Sequence, residues 1–308
     1  MASARVRTWT GRLTGVLLAV AVGMSPASGQ ELEPRAYSPS PTGTTFLATT
    51  ATRSTGDVLL DPAVPLTDVS ARIGVFAVGA GHVFNVMGRS TLLLGAVPFA
   101  WCTAEGQIGE DRREATRRGL GDARVKVSMI LAGFRAMKLP EFAKAPRRTI
   151  AGASLTVVPP TGQYDPVKLV NLGSHRWSFK PEAGVSIPYR RWTFDAYGGV
   201  WLFSDNTDYY PGTADRHQGP VLAAQTHVSY TLWRRAWLAA NATWYSGGQV
   251  VVNGGPSGAP YSNSRLGATF ALPLGRTQSL KFAYSTGAAT RTGADFRIFT
   301  AGWQMLFF

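Results

Sequence analysis

The chain has 308 residues, 45% hydrophobic and 11% aromatic, with 34 glycines, one cysteine and a formal net charge of +13. A lone Cys102 excludes a disulfide-stapled scaffold, and the absence of any later run of about 20 uncharged apolar residues excludes a helical membrane protein. So basic a chain would suit nucleic acid, but its lysines and arginines are scattered and its start reads as an export signal. Solvated loops, lipid head groups or an anion-attracting lumen match that charge better, and no nucleic-acid partner is expected.

The first 29 residues carry Arg5, Arg7 and Arg12, then an apolar run from Leu13 to Met24, then the small residues Ala27-Ser28-Gly29. This is the layout of a secretory signal peptide, with cleavage expected before Gln30. Residues 30–43 hold Pro34, Pro39 and Pro41, which forbid regular structure, and read as an extended leader on the periplasmic side. A barrel domain is expected over 44–308.

The first strand is expected over 44–51, followed by a loop at 53–68 with Gly56, Asp57, Asp61, Pro62 and Pro65. The second spans 71–84 and the third 90–103, where Leu92-Leu93-Leu94 hides the alternation and leaves the facing open. The charged stretch 105–118 has no apolar period and reads as an exposed loop. The fourth strand alternates Ala123, Val125, Val127, Met129 and Leu131 with Asp122, Arg124, Lys126 and Ser128. Residues 134–146 suggest a short helical turn, and 149–158 a fifth strand ended by Pro159-Pro160-Thr161-Gly162.

From residue 177 the period of two is regular. Trp177, Phe179, Pro181, Ala183, Val185 and Ile187 oppose Ser178, Lys180, Glu182 and Ser186. Trp192, Phe194, Ala196, Val200 and Leu202 oppose Thr193, Asp195 and Tyr197. Leu222, Ala224, Thr226, Val228 and Tyr230 oppose Gln225, His227 and Ser229. Leu238, Ala240, Ala242 and Trp244 oppose Asn241, Thr243 and Tyr245. Leu266, Ala268, Phe270 and Leu272 oppose Arg265, Gly267 and Thr269, and Leu280, Phe282 and Tyr284 oppose Ser279, Lys281 and Ser285. In the last strand, 299–308, Phe299, Ala301, Trp303, Met305 and Phe307 oppose Thr300, Gly302 and Gln304. Polar loops at 205–219, 247–262 and 288–295 alternate with short turns at 85–89, 188–190, 233–235 and 273–276.

About 12 strands, each near the 9–11 residues a tilted strand needs to cross a bilayer, with short turns on one side and long loops on the other, predict an all-β, transmembrane, antiparallel up-and-down β-barrel. The short turns are then periplasmic and the longer loops extracellular. Aromatics near the strand ends (Trp177, Trp192, Tyr230, Trp244, Trp303) suit interfacial girdles. A soluble sandwich could show the same alternation in a single strand, but would need its apolar faces to meet each other. Closure through the final strand also leaves no unpaired edge in hydrocarbon, and makes that strand the expected contact for the outer-membrane assembly machinery.

The stretches Pro160-Thr161-Gly162-Gln163-Tyr164-Asp165, Asn171-Leu172-Gly173, Arg176-Trp177-Ser178-Phe179-Lys180-Pro181 and Gly199-Val200-Trp201-Leu202-Phe203-Ser204-Asp205-Asn206 resemble the MetA-pathway of phenol degradation family. Pro34-Arg35-Ala36-Tyr37-Ser38-Pro39 resembles its start. The resemblance spans most of the chain after residue 30. It implies an outer-membrane β-barrel of a Gram-negative cell, labelled a transporter, that passes aromatic or other small compounds. It brings no catalytic residues. The chain departs from the pattern in one place, where Phe308 adds a terminal aromatic beyond the in-register Phe307.

The inward set expected to line the lumen and set its charge preference is Arg124, Lys126, Lys180, Glu182, Asp195, Arg265 and Lys281. The same residues could instead pair as ions filling a closed interior, since 12 strands lie between packed small barrels and open porins. His227 and Ser229 are a weak hydrolase pair, for want of an orienting third group. The histidines lack metal spacing. The loop acids Asp205, Asp208 and Asp215 could face a divalent ion or only water, and Gly254-Gly255-Pro256-Ser257-Gly258 lacks the residues of a phosphate loop. No cofactor or metal is expected. The function expected is a non-enzymatic channel for passive uptake of small compounds, aromatic and anionic ones among the candidates. A non-conducting structural barrel and a lipid-modifying enzyme are the alternatives.

Overall fold

The computed structural model describes residues 33–59, 67–108 and 111–308. The expected signal peptide, residues 30–32 of the leader, residues 60–66 of the first loop and residues 109–110 of the charged stretch lie outside the described residues.

The chain folds into strands β1 (Thr45–Leu59), β2 (Thr67–Val86), β3 (Arg89–Ile108), β4 (Asp111–Leu120) and β5 (Arg124–Ala132). A helical turn α1 (Leu139–Phe142) follows, then β6 (Ile150–Val158), β7 (Ser178–Tyr189), β8 (Trp192–Phe203), β9 (Asn206–Tyr209) and β10 (Ala214–Gln218). The chain continues through β11 (Val221–Thr231), β12 (Trp237–Gly247), β13 (Val250–Val252), β14 (Gly255–Pro256), β15 (Tyr261–Leu274), β16 (Gln278–Ala289) and β17 (Gly293–Phe307). The ring β1-β2-β3-β5-β6-β7-β8-β11-β12-β15-β16-β17 closes on itself as a 12-strand antiparallel barrel. The closing pair, β1 with β17, runs from Thr45 opposite Phe307 to Leu59 opposite Gly293. Every spanning strand thereby has two neighbours, the condition for backbone in hydrocarbon.

Facing follows the pleat. Val78, Val127, Phe194, Leu222, Leu266 and Phe299 are exposed on the outside, while Lys180, Asp195, Gln225 and His227 are buried within. Trp192 packs on Tyr230 at the periplasmic end, ring centres 4.7 Å apart. In β3, Leu93 points out, and Leu92 and Leu94 share the inward face with Val83 and Gly81.

Several expectations are corrected. Residues 53–59 and 67–68 are strand rather than loop. Gly56 is a strand glycine (φ +156°) where an added Cβ would lie 2.2 Å from the Asp295 carbonyl oxygen, so it permits close approach and not a turn. Residues 105–108 and 111–118 of the charged stretch are strand rather than loop: β3 and β4 pair from Phe99 with Leu120 through to Ile108 with Asp111. Standing in water, this pair needs no apolar alternation, which is why the sequence hid it. The expected fourth strand is β5, beginning at Arg124; before it the chain leaves the ladder at Gly121-Asp122-Ala123, where the Pro98 carbonyl accepts the Gly121 N–H at 3.0 Å. The loops 205–219 and 247–262 contain β9, β10, β13 and β14, a small four-stranded sheet on the extracellular rim. The last strand starts at Gly293 rather than 299. At the periplasmic end, Met87 and Gly88 both have positive φ (50° and 78°) in a two-residue turn, the geometry that matches strand twist.

Candidate functional site in the barrel lumen

Glu33 to Thr44, read from sequence as extended chain on the periplasmic side, enters the barrel. Thr42 N–H bonds the Met137 carbonyl (2.8 Å) and Gly43 N–H the Val83 carbonyl (2.8 Å), fixing the entry. Tyr37 is 1% exposed. Its ring meets Tyr197 edge-on at 5.2 Å, and its hydroxyl lies 3.3 Å from Ser154 Oγ and donates to the Glu182 carbonyl at 3.4 Å. Gly152 and Gly184 make its seat, since Cβ atoms there would lie 2.4 and 3.0 Å from the ring. The Arg35 backbone N–H bonds Asp195 Oδ2 (3.2 Å). Its guanidinium bonds Ser229 Oγ (2.9 Å) and Thr231 Oγ1 (3.0 Å) and stacks over Trp237 at 4.8 Å. Glu33 Oε2 lies 2.5 Å from Lys126 Nζ and faces Lys180 and Lys281.

The seven predicted residues all lie on the inward face. Lys126 pairs with Glu33, and Lys180 pairs with Glu182 at 2.7 Å, both side chains 4% exposed. Asp195 accepts from Ser186 Oγ and from the leader. Arg265 donates to the Phe296 carbonyl. Arg124 is half-buried at the head of β5, and Lys281, opposite Gly302, is exposed on the inner face of β16. The first four therefore meet one another or the leader, while Lys281 keeps open surface. Buried charges are tolerated because they are paired.

The wall formed by β1, β2, β3 and β17 differs. Its inward residues at membrane depth include Ala48, Thr50, Thr52, Ala77, Gly79, Ala96, Thr300 and Gly302, all small, uncharged and half-exposed. Across one level Ala77, Thr50, Gly302 and Lys281 are successive partners. Accessible surface on an inward face means space inside the barrel beside the leader.

The extracellular side of that wall is covered. Val58, Val69, Ala71, Ala100, Cys102, Phe296 and Ile298 form an apolar cluster with Val170 and Leu172 of the 159–177 loop. Asp122 pins that loop: Oδ1 accepts Gly162 N–H (2.8 Å), and Oδ2 accepts Ser174 N–H (2.8 Å) and Oγ–H (2.7 Å). Gly162 and Gly173 touch backbone to backbone. Alternation makes Asp122 one more inward strand residue, yet it is the loop's anchor. Higher still, Tyr164 stacks on His175 at 4.6 Å, and burial raises its phenol above the usual range.

Sequence reasoning missed Glu33, Arg35, Tyr37 and Asp122. The signal available for the first three was a charged and aromatic cluster in a segment too proline-rich to be strand. Two of the three loop acids turn to histidines: Asp205 to His217 (2.7 Å) and Asp208 to His175 (3.2 Å). Among the described residues, no group of three or more His, Cys, Asp or Glu side chains could hold a metal. Ser229 Oγ accepts from Arg35 and donates to the Thr193 carbonyl (3.5 Å), while His227 Nδ1 meets Asn241 Oδ1 (2.8 Å). The two side chains turn to separate partners, and His227 Nε2 is buried with no hydrogen bond to the described residues.

A closed barrel with an apolar outside and a charged inside defines an integral protein of the bacterial outer membrane. Residues 47–298 match the family described as "Putative MetA-pathway of phenol degradation", and the chain belongs to it, as its motifs led one to expect. Among solved structures it is similar to an outer membrane channel from Pseudomonas putida F1, at 19% identity and TM-score 0.78, covering 90% of this chain and 100% of that one. It is also similar to the transport unit of the autotransporter AIDA-I from Escherichia coli, at 10% identity and TM-score 0.52, covering 89% and 93%. No curated protein sequence matches it.

Proposed function

We propose that the protein is an outer-membrane channel for passive uptake of small compounds, with the leader as its plug. The observation that carries this reading is the half-exposed inner surface of β1, β2 and β17 beside a leader held by the opposite wall. The similarity to a protein described as an outer membrane channel supports it, as does the family's association with phenol degradation. Small neutral side chains along the space, with Lys281 at its edge, suit small aromatic or singly anionic solutes over cations.

Planar-bilayer recording and liposome swelling with phenol, benzoate and a neutral sugar provide the test. The expected result is a small conductance with faster entry of phenol and benzoate than of the sugar. Neither conductance nor flux, in intact protein and in protein lacking residues 33–43 alike, would sink the proposal. That second result is the signature of the non-conducting barrel, which the apolar cover formed by Val170 and Leu172 favours.

A further inference from the structure

On the extracellular rim two arginines come together from separate loops. Arg176 precedes β7 and is 5% exposed; Arg216 lies on β10 and is 7% exposed. Both donate an Nη2–H to the same acceptor, Gln218 Oε1, at 2.7 and 3.1 Å. The shared acceptor puts the two guanidiniums within two hydrogen-bond lengths of each other. Arg176 stacks 4.1 Å over Phe203, and Arg216 lies 5.7 Å over Tyr209.

Three of their remaining donor nitrogens are unspent. Arg176 Nε and Nη1 and Arg216 Nε are buried and make no hydrogen bond to the described residues. The acids that face Arg176 are committed elsewhere: both oxygens of Asp122 hold the 159–177 loop, and Asp205 holds His217. A buried guanidinium normally finds a carboxylate or phosphate partner, because removing its charge from water without one is costly. Two of them side by side double the problem. Burial, with Arg216 as the next cause, holds Arg176 well below the usual arginine range, the direction expected of a cation lacking its counter-charge.

We propose that Arg176 and Arg216 form a binding site for a small oxyanion at the extracellular mouth of the barrel. The planar forks suit a carboxylate or a tetrahedral oxyanion, each able to accept from both guanidiniums at once. The rings of Phe203 and Tyr209 back the two guanidiniums. The site does not rest on the channel reading, because it is complete in a barrel that passes nothing.

Titration calorimetry on the full barrel in detergent, with acetate and sulfate as separate probes in chloride buffer, tests it. Saturable one-to-one binding of at least one probe is expected, weakened 10-fold or more in Arg176→Gln and in Arg216→Gln. Preference for acetate assigns the site to carboxylates, and preference for sulfate assigns it to inorganic oxyanions. Heat-modifiable gel migration confirms that each variant is folded. Should a variant not fold, crystals of the unaltered protein soaked in selenate give a second reading, an anomalous peak between the two guanidiniums. No saturable binding of either probe, binding unchanged in both folded variants, or no peak would overturn the assignment.

Discussion

Two walls of one lumen have opposite chemistry. The side built from β5 to β12 carries Lys126, Lys180, Glu182, Asp195, His227 and Asn241, all buried and all partnered. The side built from β1, β2, β3 and β17 carries alanine, threonine and glycine at the same depth, half-exposed and uncharged. The contrast assigns the charge a role. Ionised groups in a narrow interior must be matched or they destabilise it, and here the matching partners come from the leader's Glu33 and Arg35 as well as from the wall itself. Charge anchors the leader, and the neutral side leaves room.

The largest effect should come from breaking the anchored side. Gly152→Ala sets a methyl 2.4 Å from the Tyr37 ring, with the ring's atoms as its three nearest neighbours. Truncating a buried aromatic costs roughly 3–5 kcal/mol. On that scale, unseating Tyr37, by Gly152→Ala or directly by Tyr37→Ala, shifts the closed-to-open ratio by about 100-fold or more, since each 1.4 kcal/mol is tenfold. Single-channel recording should show long openings of several-fold larger conductance. If both variants keep wild-type conductance, the leader is not the plug.

A smaller, opposite effect is expected on the neutral side. Thr50→Trp places an indole where the wall is lined by Ala77 and Gly302. The bulk should cut liposome entry of benzoate by roughly tenfold, as expected when pore diameter sets passage. It should leave the leader's contacts with Ser154, Asp195 and Ser229 intact. Lys126→Gln serves as the control on the other wall: it frees Glu33 and should raise conductance where Thr50→Trp lowers it. Equal effects from both substitutions would erase the distinction between the walls.

How much of this was legible beforehand follows from where period-two patterning operates. Strands from Ser178 onward separate lipid from lumen at every residue, so Lys180, Glu182, Asp195, Arg265 and Lys281 were placed inward by counting alone. The closing strand was recognisable from Phe299 to Phe307 for the same reason. The leader carries no period, so nothing local says that Tyr37 seats between Gly152 and Gly184. Those glycines lie in β6 and β7, more than a hundred residues away, and each reads as an ordinary strand residue until the ring fills it. Asp122 was misread because alternation places it correctly inward, while its hydrogen bonds to Gly162 and Ser174 depend on a loop fold that no pattern encodes. The arginine pair was hidden likewise, because Arg176 and Arg216 meet only through the folding of two loops.

The hairpin β3–β4 marks the lower end of the scale, far from both walls. Glu105 bridges Arg72 (2.6 Å) and Arg112 on its outer surface. The hydrogen bond from Arg112, then the charges of Arg112 and Arg72, hold the Glu105 carboxyl below the usual carboxylate range. A carboxyl depressed in this way stabilises the hairpin above its unfolded pKa and loses that contribution as pH falls through the lowered folded value. Exposed pairs of this kind contribute little and are screened by salt. Glu105→Gln should therefore leave conductance and heat-modifiable migration unchanged. Amide exchange in β4 should quicken slightly at neutral pH and low salt, with the difference vanishing in acid or in high salt. A change in conductance would show that the hairpin is coupled to the passage, and the contrast between the walls would then have to be extended above the membrane.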